Sequence, residues 1–255
     1  MNMLRTRVIP CLLLRGESLV KSIRFKQFNY IGDPINTVRI FNELEVDELV
    51  FLDIRATVEQ REPNWTILGN IANECFMPLA YGGGIRDRTT AQKVLNIGFE
   101  KIVVNSFAHE RPEFVTELAE HFGSQSVIGS IDVKKTLLGK YIVYVCNGTQ
   151  RTNRDPVEWA QELQQRGAGE LLLTSIDRDG TWNGYDVALI RKVASALTIP
   201  VIANGGAGRI EHMAEAVKTG GCSAVAVGSM VVFQGKGMGV LVNFPDKVEL
   251  ARQLG

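Results

Sequence analysis

The sequence predicts one parallel (β/α)8 barrel of the α/β class, and three observations carry that expectation. Eight short apolar runs alternate with longer segments of helical periodicity: RVIPCLL (7–13), ELVFLDI (48–54), MPLAYGG (77–83), KIVVNS (101–106), SVIGSID (126–132), ELLLTSID (170–177), IPVIANGG (199–206) and AVAVGS (224–229). The length of 255 residues is close to the roughly 250 of one such barrel, although length alone also admits two domains. The third observation is an internal repeat that needs no gap. Ala80, Gly82, Gly83, Arg86, Ala91, Val94, Gly98, Val104 and Ser106 recur 123 positions later as Ala203, Gly205, Gly206, Arg209, Ala214, Val217, Gly221, Val227 and Ser229. A repeat that long is half a barrel, so 1–255 reads as a single domain with halves of about 1–123 and 124–255.

Taken in order, the elements follow from local chemistry. The runs are apolar on both faces, as parallel strands must be when helices cover them outside and side chains fill the barrel inside. After the first strand, residues 14–32 break the rhythm and read as a long loop at the C-terminal mouth; Asp33-Pro34 then starts a helix, with an N-cap carboxylate before a proline whose missing N–H costs nothing. The third run ends in Gly82-Gly83 and the fourth in Asn105-Ser106. The fifth is followed by a second long segment, 134–154, which contains the alternating KYIVYVCNG and closes at Asp155-Pro156. The sixth leads to Asp179-Gly180, the seventh ends in Gly205-Gly206, and the eighth in Gly228-Ser229.

Charge and composition narrow the function classes. Twenty-eight Lys plus Arg balance twenty-eight Asp plus Glu and are scattered along the chain, which argues against nucleic acid or an anionic membrane as partner and for a small soluble substrate. No apolar run approaches the roughly 18 residues of a spanning helix, and residues 1–7 lack the apolar core of a signal peptide, so a cytoplasmic protein is expected. Cys11, Cys75, Cys146 and Cys222 form no C-x-x-C pair and read as buried, reduced thiols. His109, His121 and His212 fall in or beside helical segments and read as surface residues. No metal site, cofactor or nucleophilic triad is expected from this spacing.

The repeated element, a strand ending in Gly-Gly, a helix, and a strand ending at a serine, brings backbone N–H groups and a hydroxyl close to one point. Its two copies, Gly82, Gly83, Asn105 and Ser106 against Gly205, Gly206, Gly228 and Ser229, suggest a ligand with a phosphate at each end, with Asp179 and Gly180 added to the second corner. Tight βα turns alone would also use these glycines. At the opposite end, four strands begin on a charge, Arg7, Glu48, Lys101 and Glu170. Counting by two places Ile9, Cys11, Leu13, Val50, Leu52, Val103, Asn105, Leu172 and Thr174 on the inward face, so the four charges close the floor, either as a salt-bridged cap or as a gated passage. Asp132, inward with Ser126, Ile128 and Ser130, is the strongest candidate for acid or base work, and its counterpart in the other half is Leu13. Asp53, Asp177 and Asp179 are further rim carboxylates that could equally hold loops, and Lys21 is a candidate to close over an anion.

The blocks DELVFLDI, YGGGIR, GSQSVIGSID, GAGELLLTSIDRDGT and IPVIANGGAGRIEH resemble the cyclase subunit of imidazole glycerol phosphate synthase, the HisF family, nearly from end to end. The resemblance implies a barrel that docks a HisH-type glutaminase on its N-terminal face as a heterodimer, receives ammonia through a gate at Arg7, Glu48, Lys101 and Glu170, and cyclises a bisphosphorylated ribonucleotide at the mouth with Asp132. Members of the family carry a second aspartate at the end of strand one, where this chain has Leu13; Asn204 stands for a usual serine, and Tyr81 where Val is common. IPCLLL and LAYGGGIR are similar to HisF paralogues of surface-polysaccharide pathways, in which ammonia goes to a separate amidotransferase making an acetamidino sugar. The resemblance leaves open a histidine-pathway cyclase in which another carboxylate, Asp53 or Asp179, covers for Leu13, and a non-catalytic scaffold for the glutaminase.

Overall fold

The computed structural model describes residues 6–255; residues 1–5, part of the segment read for a leader, lie outside them. The strands are β1 (Arg7–Arg15), β2 (Ser18–Ile23), β3 (Lys26–Gly32), β4 (Leu49–Asp53), β5 (Leu79–Gly82), β6 (Lys101–Val104), β7 (Val127–Lys135), β8 (Tyr141–Val145), β9 (Gln150–Arg151), β10 (Glu170–Ser175), β11 (Val201–Asn204) and β12 (Ala224–Val227). The helices are α1 (Pro34–Glu43), α2 (Trp65–Glu74), α3 (Arg88–Ile97), α4 (Ser106–Glu110), α5 (Glu113–Phe122), α6 (Pro156–Gln165), α7 (Val187–Ala194), α8 (Ile210–Lys218), α9 (Ser229–Val232) and α10 (Lys247–Leu254). Each of the eight apolar runs forms one parallel strand, and the ladder β1–β4–β5–β6–β7–β10–β11–β12 closes on itself through β12 and β1, giving a (β/α)8 barrel.

Two cores result from the alternation of side chains along each strand. Ile9, Cys11, Val50, Ala80, Val103, Ile128, Leu172, Ile202, Ala224 and Ala226 fill the barrel, with Leu52 packed on them, which is the inward row that counting by two assigns. The alternate residues, among them Val8, Leu12, Phe51 and Tyr81, pack against the helices in a second, larger core. The helix starts follow the sequence signals: Asp33 accepts from the Asn36 amide at 2.8 Å and Asp155 from the Val157 amide at 2.8 Å, each just before its proline.

The two long segments differ from the expected loops, and both contain strands. β1 and β7 run nine residues each, past the barrel rim, and each carries antiparallel strands there, β2 and β3 on β1, β8 and β9 on β7. Strand pairing satisfies backbone groups that a bare loop over the mouth would expose, and the alternation in KYIVYV suits a half-covered strand. The thiols also depart from expectation. All four are free, but only Cys11 and Cys222 are buried; Cys75 and Cys146 are partly exposed. His121 is exposed on α5, whereas His109 and His212 are half-buried. Among the described residues, no helix is long and apolar enough to cross a membrane.

Candidate active site

The floor of the barrel is a closed ring of alternating charge. Arg7 donates to Glu48 at 2.6 Å and to Glu170 at 2.9 Å, and Lys101 reaches Glu48 at 3.1 Å and Glu170 at 3.2 Å. Each of the four carboxylate oxygens meets one of the two shared cations, which offsets the cost of placing Glu48, only 3 % exposed, at the base of an apolar interior. Burial alone would pull the Arg7 guanidinium down, but Glu170 and Glu48 hold it above its ordinary value. Passage of a small molecule through this ring would require at least one of these contacts to part.

At the other end, one pocket opens at the mouth, lined by both Gly-Gly corners together with Leu13, Lys21, Asn105, Asp132, Thr174, Asp179 and Asn204. The half-barrel repeat survives in three dimensions. Ser106 and Ser229 each begin a short helix, and the residues before them share an unusual backbone, φ −134°, ψ −89° at Asn105 and φ −117°, ψ −92° at Gly228. Gly83 and Gly206 have φ of +131° and +114°; a Cβ there would come within 2.7 Å of the Asp53 carbonyl and 2.2 Å of the Gly184 carbonyl. Close packing therefore requires glycine at both positions whatever binds beside them. The first corner is partly occupied by the protein itself, since the Ser106 hydroxyl accepts from the Cys146 amide at 2.9 Å.

The inward row of the rim is polar on one side and apolar on the other. Asn105 donates to Asp132 at 2.8 Å and Asn204 to the Thr174 hydroxyl at 3.1 Å, while β1 and β4 present Leu13 and Leu52. Burial raises the Asp132 carboxyl from 3.8 to about 7, against the lowering influence of hydrogen bonds from Asn105 and Thr174. A carboxyl so placed can either hold or accept a proton near neutral pH.

The other rim carboxylates are engaged. Asp53 accepts from the amides of Arg55 and Ala56 at 3.0 Å each and from Arg61 at 2.9 and 2.8 Å, so it holds the loop after β4. Asp177 accepts from the Lys135 amide at 2.7 Å. Asp179 takes the Ser22 hydroxyl at 2.7 Å and the Phe25 amide at 3.3 Å, fastening the β2–β3 turn to the segment after β10; burial raises its carboxyl, against Ser22 and Lys21.

Lys21 is not a solvated loop residue. It lies on β2, is 6 % exposed, and donates to the Cys11 carbonyl; its ammonium sits where a side chain on Gly228 would come within 2.7 Å. Burial lowers its pKa, against the raising influence of Cys11 and Asp179. Sequence reasoning missed Phe25, Cys146 and Asn147. Phe25 and Asn147 line the pocket, and a Cβ on Gly148 would meet the Phe25 ring at 2.8 Å, so the two rim hairpins approach each other over the mouth. No periodicity in a turn could have assigned them.

The chain matches, over residues 7–237, a family model described as Histidine biosynthesis protein. It is 49 % identical over 244 residues to a protein of Pseudomonas aeruginosa provisionally named imidazole glycerol phosphate synthase subunit hisF2, covering 96 % of this chain and 97 % of that one. It is 46 % identical over 245 residues to a Leptospira borgpetersenii protein provisionally named imidazole glycerol phosphate synthase subunit HisF, covering 96 % of each. A Vibrio vulnificus protein with the same provisional name and the label hisF3 is 43 % identical over 254 residues, covering 99 % and 98 %.

Proposed function

From the premise that the chain belongs to the histidine biosynthesis protein family, as a HisF-type synthase subunit, we propose that it receives ammonia from a HisH-type glutaminase and supports an amidination other than the ordinary cyclisation. The acceptor on this reading is a precursor of surface polysaccharide, aminated by a separate amidotransferase. The observation that carries the proposal is the rim itself: β1 presents Leu13 in the inward row, and Asp132 is the one carboxyl of that row that faces the pocket. Ring closure by ammonia asks for proton removal at one atom and proton delivery at another, and a single carboxyl on one side of the pocket serves only one of these at a time. The glutaminase would dock around the ring of Arg7, Glu48, Lys101 and Glu170, whose closed geometry suits a passage that opens under the partner's control. The two Gly-Gly corners, with Lys21 at the second, suit a phosphorylated small molecule and argue against a purely structural scaffold for the glutaminase.

A second reading, the histidine-pathway cyclase itself, is favoured by the raised carboxyl of Asp179, which lines the same pocket. Its contacts with Ser22 and Phe25 tie it to the rim hairpin instead. The test is the purified chain with free ammonium and the bisphosphorylated ribonucleotide. Little cyclisation is expected of the natural chain, and Leu13→Asp is expected to raise turnover by about 10² or more, the usual worth of one acid–base partner. Robust turnover by the natural chain, or its complementation of a histidine auxotroph lacking its own cyclase, would establish the second reading in place of the first.

A further inference from the structure

Beside the mouth, a second hollow opens between the β2–β3 turn, the outer part of β7, the segment after β10 and the segment after α9. Its lining carries four cations, Arg24, Lys26, Lys134 and Lys236, against one carboxylate, Asp177. Arg24 and Lys26 share one turn, while Lys134 and Lys236 come from far along the chain, which is why a charge count along the sequence reveals no patch. Among the described residues none of them is in an ion pair, whereas Asp177 already accepts the Lys135 amide. Like charges gathered around one concavity repel each other, and the lining offers Asp177 as their one countercharge, with the Tyr144 ring centroid 5.9 Å from the Lys134 ammonium.

The positions of these cations are built into the fold. Arg24, Phe25 and Gln27 have φ of 53°, 59° and 45°, a left-handed backbone that non-glycine residues adopt only where the surrounding contacts hold it. The turn is held there by the Arg24 amide on the Asp179 carbonyl at 2.9 Å and the Phe25 amide on the Asp179 carboxylate at 3.3 Å. Gly180 packs so tightly beneath it that a Cβ would come within 2.1 Å of the Ser22 carbonyl. The amides of Gln27 and Asn183 add uncharged donors to the hollow, and Ile23 and Ile176 form an apolar wall.

We propose that this hollow binds a diphosphate group, as a site that adjoins the mouth pocket at Gly180 but uses neither Gly-Gly pair. Four cations against one carboxylate leave an excess of three positive charges, close to the charge of a diphosphate. Arg24 supplies a planar fork for one phosphate, and the three lysines act as point charges on the remaining oxygens. The apolar wall suits the body of a compound that carries the diphosphate. The proposal does not rest on the reading of Asp132 and Leu13 given above.

The test is calorimetric titration of the full chain with inorganic pyrophosphate in a Ser106→Asp/Ser229→Asp background, which repels phosphate from both corners. Binding is expected to persist there, to weaken about tenfold or more when Lys26→Gln and Lys236→Gln are added, and to survive Lys26→Arg with Lys236→Arg. A nucleoside diphosphate that binds more tightly than pyrophosphate would assign the site to a nucleotide-linked compound; equal affinities would assign it to the diphosphate alone. Absence of pyrophosphate binding at millimolar concentration in this background, or an affinity unmoved by loss of the two lysine charges, overturns the proposal. All four lining cations but Lys134 are exposed, so the glutamine variants should fold normally; should the aspartate background not fold, Ser106→Ala/Ser229→Ala serves in its place.

Discussion

Asp132→Asn should stabilise the protein, and more so as the pH rises. In the fold the Asp132 carboxyl is 8 % exposed and titrates near 7; in the unfolded chain it titrates near its ordinary 3.8. The sign follows from which state binds the proton more tightly. Below 3.8 both states are protonated and no penalty arises. As pH rises from there, the unfolded chain ionises while the folded chain still holds the proton, so stability is lost progressively, and the loss is complete above about 7. At about 1.4 kcal/mol for each tenfold, a rise from 3.8 to about 7 amounts to an upper bound of about 4 kcal/mol, with about 2–3 kcal/mol of it developing between pH 5 and pH 8. Asparagine carries no charge to desolvate and keeps an oxygen for the Asn105 donor. The advantage of Asp132→Asn should therefore grow by about 2–3 kcal/mol over that window, or roughly 5–10 °C in Tm for a chain of this size. Thermal denaturation of both proteins at pH 5, 6, 7 and 8 measures it directly, and the 13C shift of the Asp132 carboxyl gives the titration independently. A Tm difference that does not change with pH, or a carboxyl titrating near 4, would refute the argument that burial outweighs the hydrogen bonds of Asn105 and Thr174.

Two further outcomes follow from packing and charge. Tyr81 is fully buried with its ring centroid 5.8 Å from that of Phe99 in an edge-to-face pair, and its hydroxyl has no partner among the described residues, so Tyr81→Phe should raise stability by about 1 kcal/mol or more; a loss of that size in urea denaturation would show that the hydroxyl is satisfied. Lys101→Met leaves Glu48 and Glu170 with Arg7 as their shared cation and should cost about 1–3 kcal/mol, read as a lower Tm, whereas an unchanged Tm would mean that the ring contributes nothing to stability.

The chain order of residue types was enough, by itself, to determine the barrel, its two-fold construction and the inward row of side chains. These depend on period-two alternation, on proline and aspartate at helix starts, and on a repeat of 123 residues, all of which are local or self-referential patterns. That Gly82, Gly83, Asn105 and Ser106 line the same mouth pocket as their counterparts was legible for the same reason. Tertiary structure alone decided the rest. Whether Asp53 is a free acid depends on Arg61 and two amides reached through a loop, and whether Lys21 is solvated depends on its strand folding back over Cys11. The pairing of Arg7, Glu48, Lys101 and Glu170 into one ring, the near contact of the two rim hairpins, and the gathering of Lys134 and Lys236 beside Arg24 and Lys26 likewise join segments that are distant in the chain. Sequence periodicity specifies which face of an element a residue occupies; which distant residue it then meets is set by barrel closure and by the turns above the rim, where no periodicity operates.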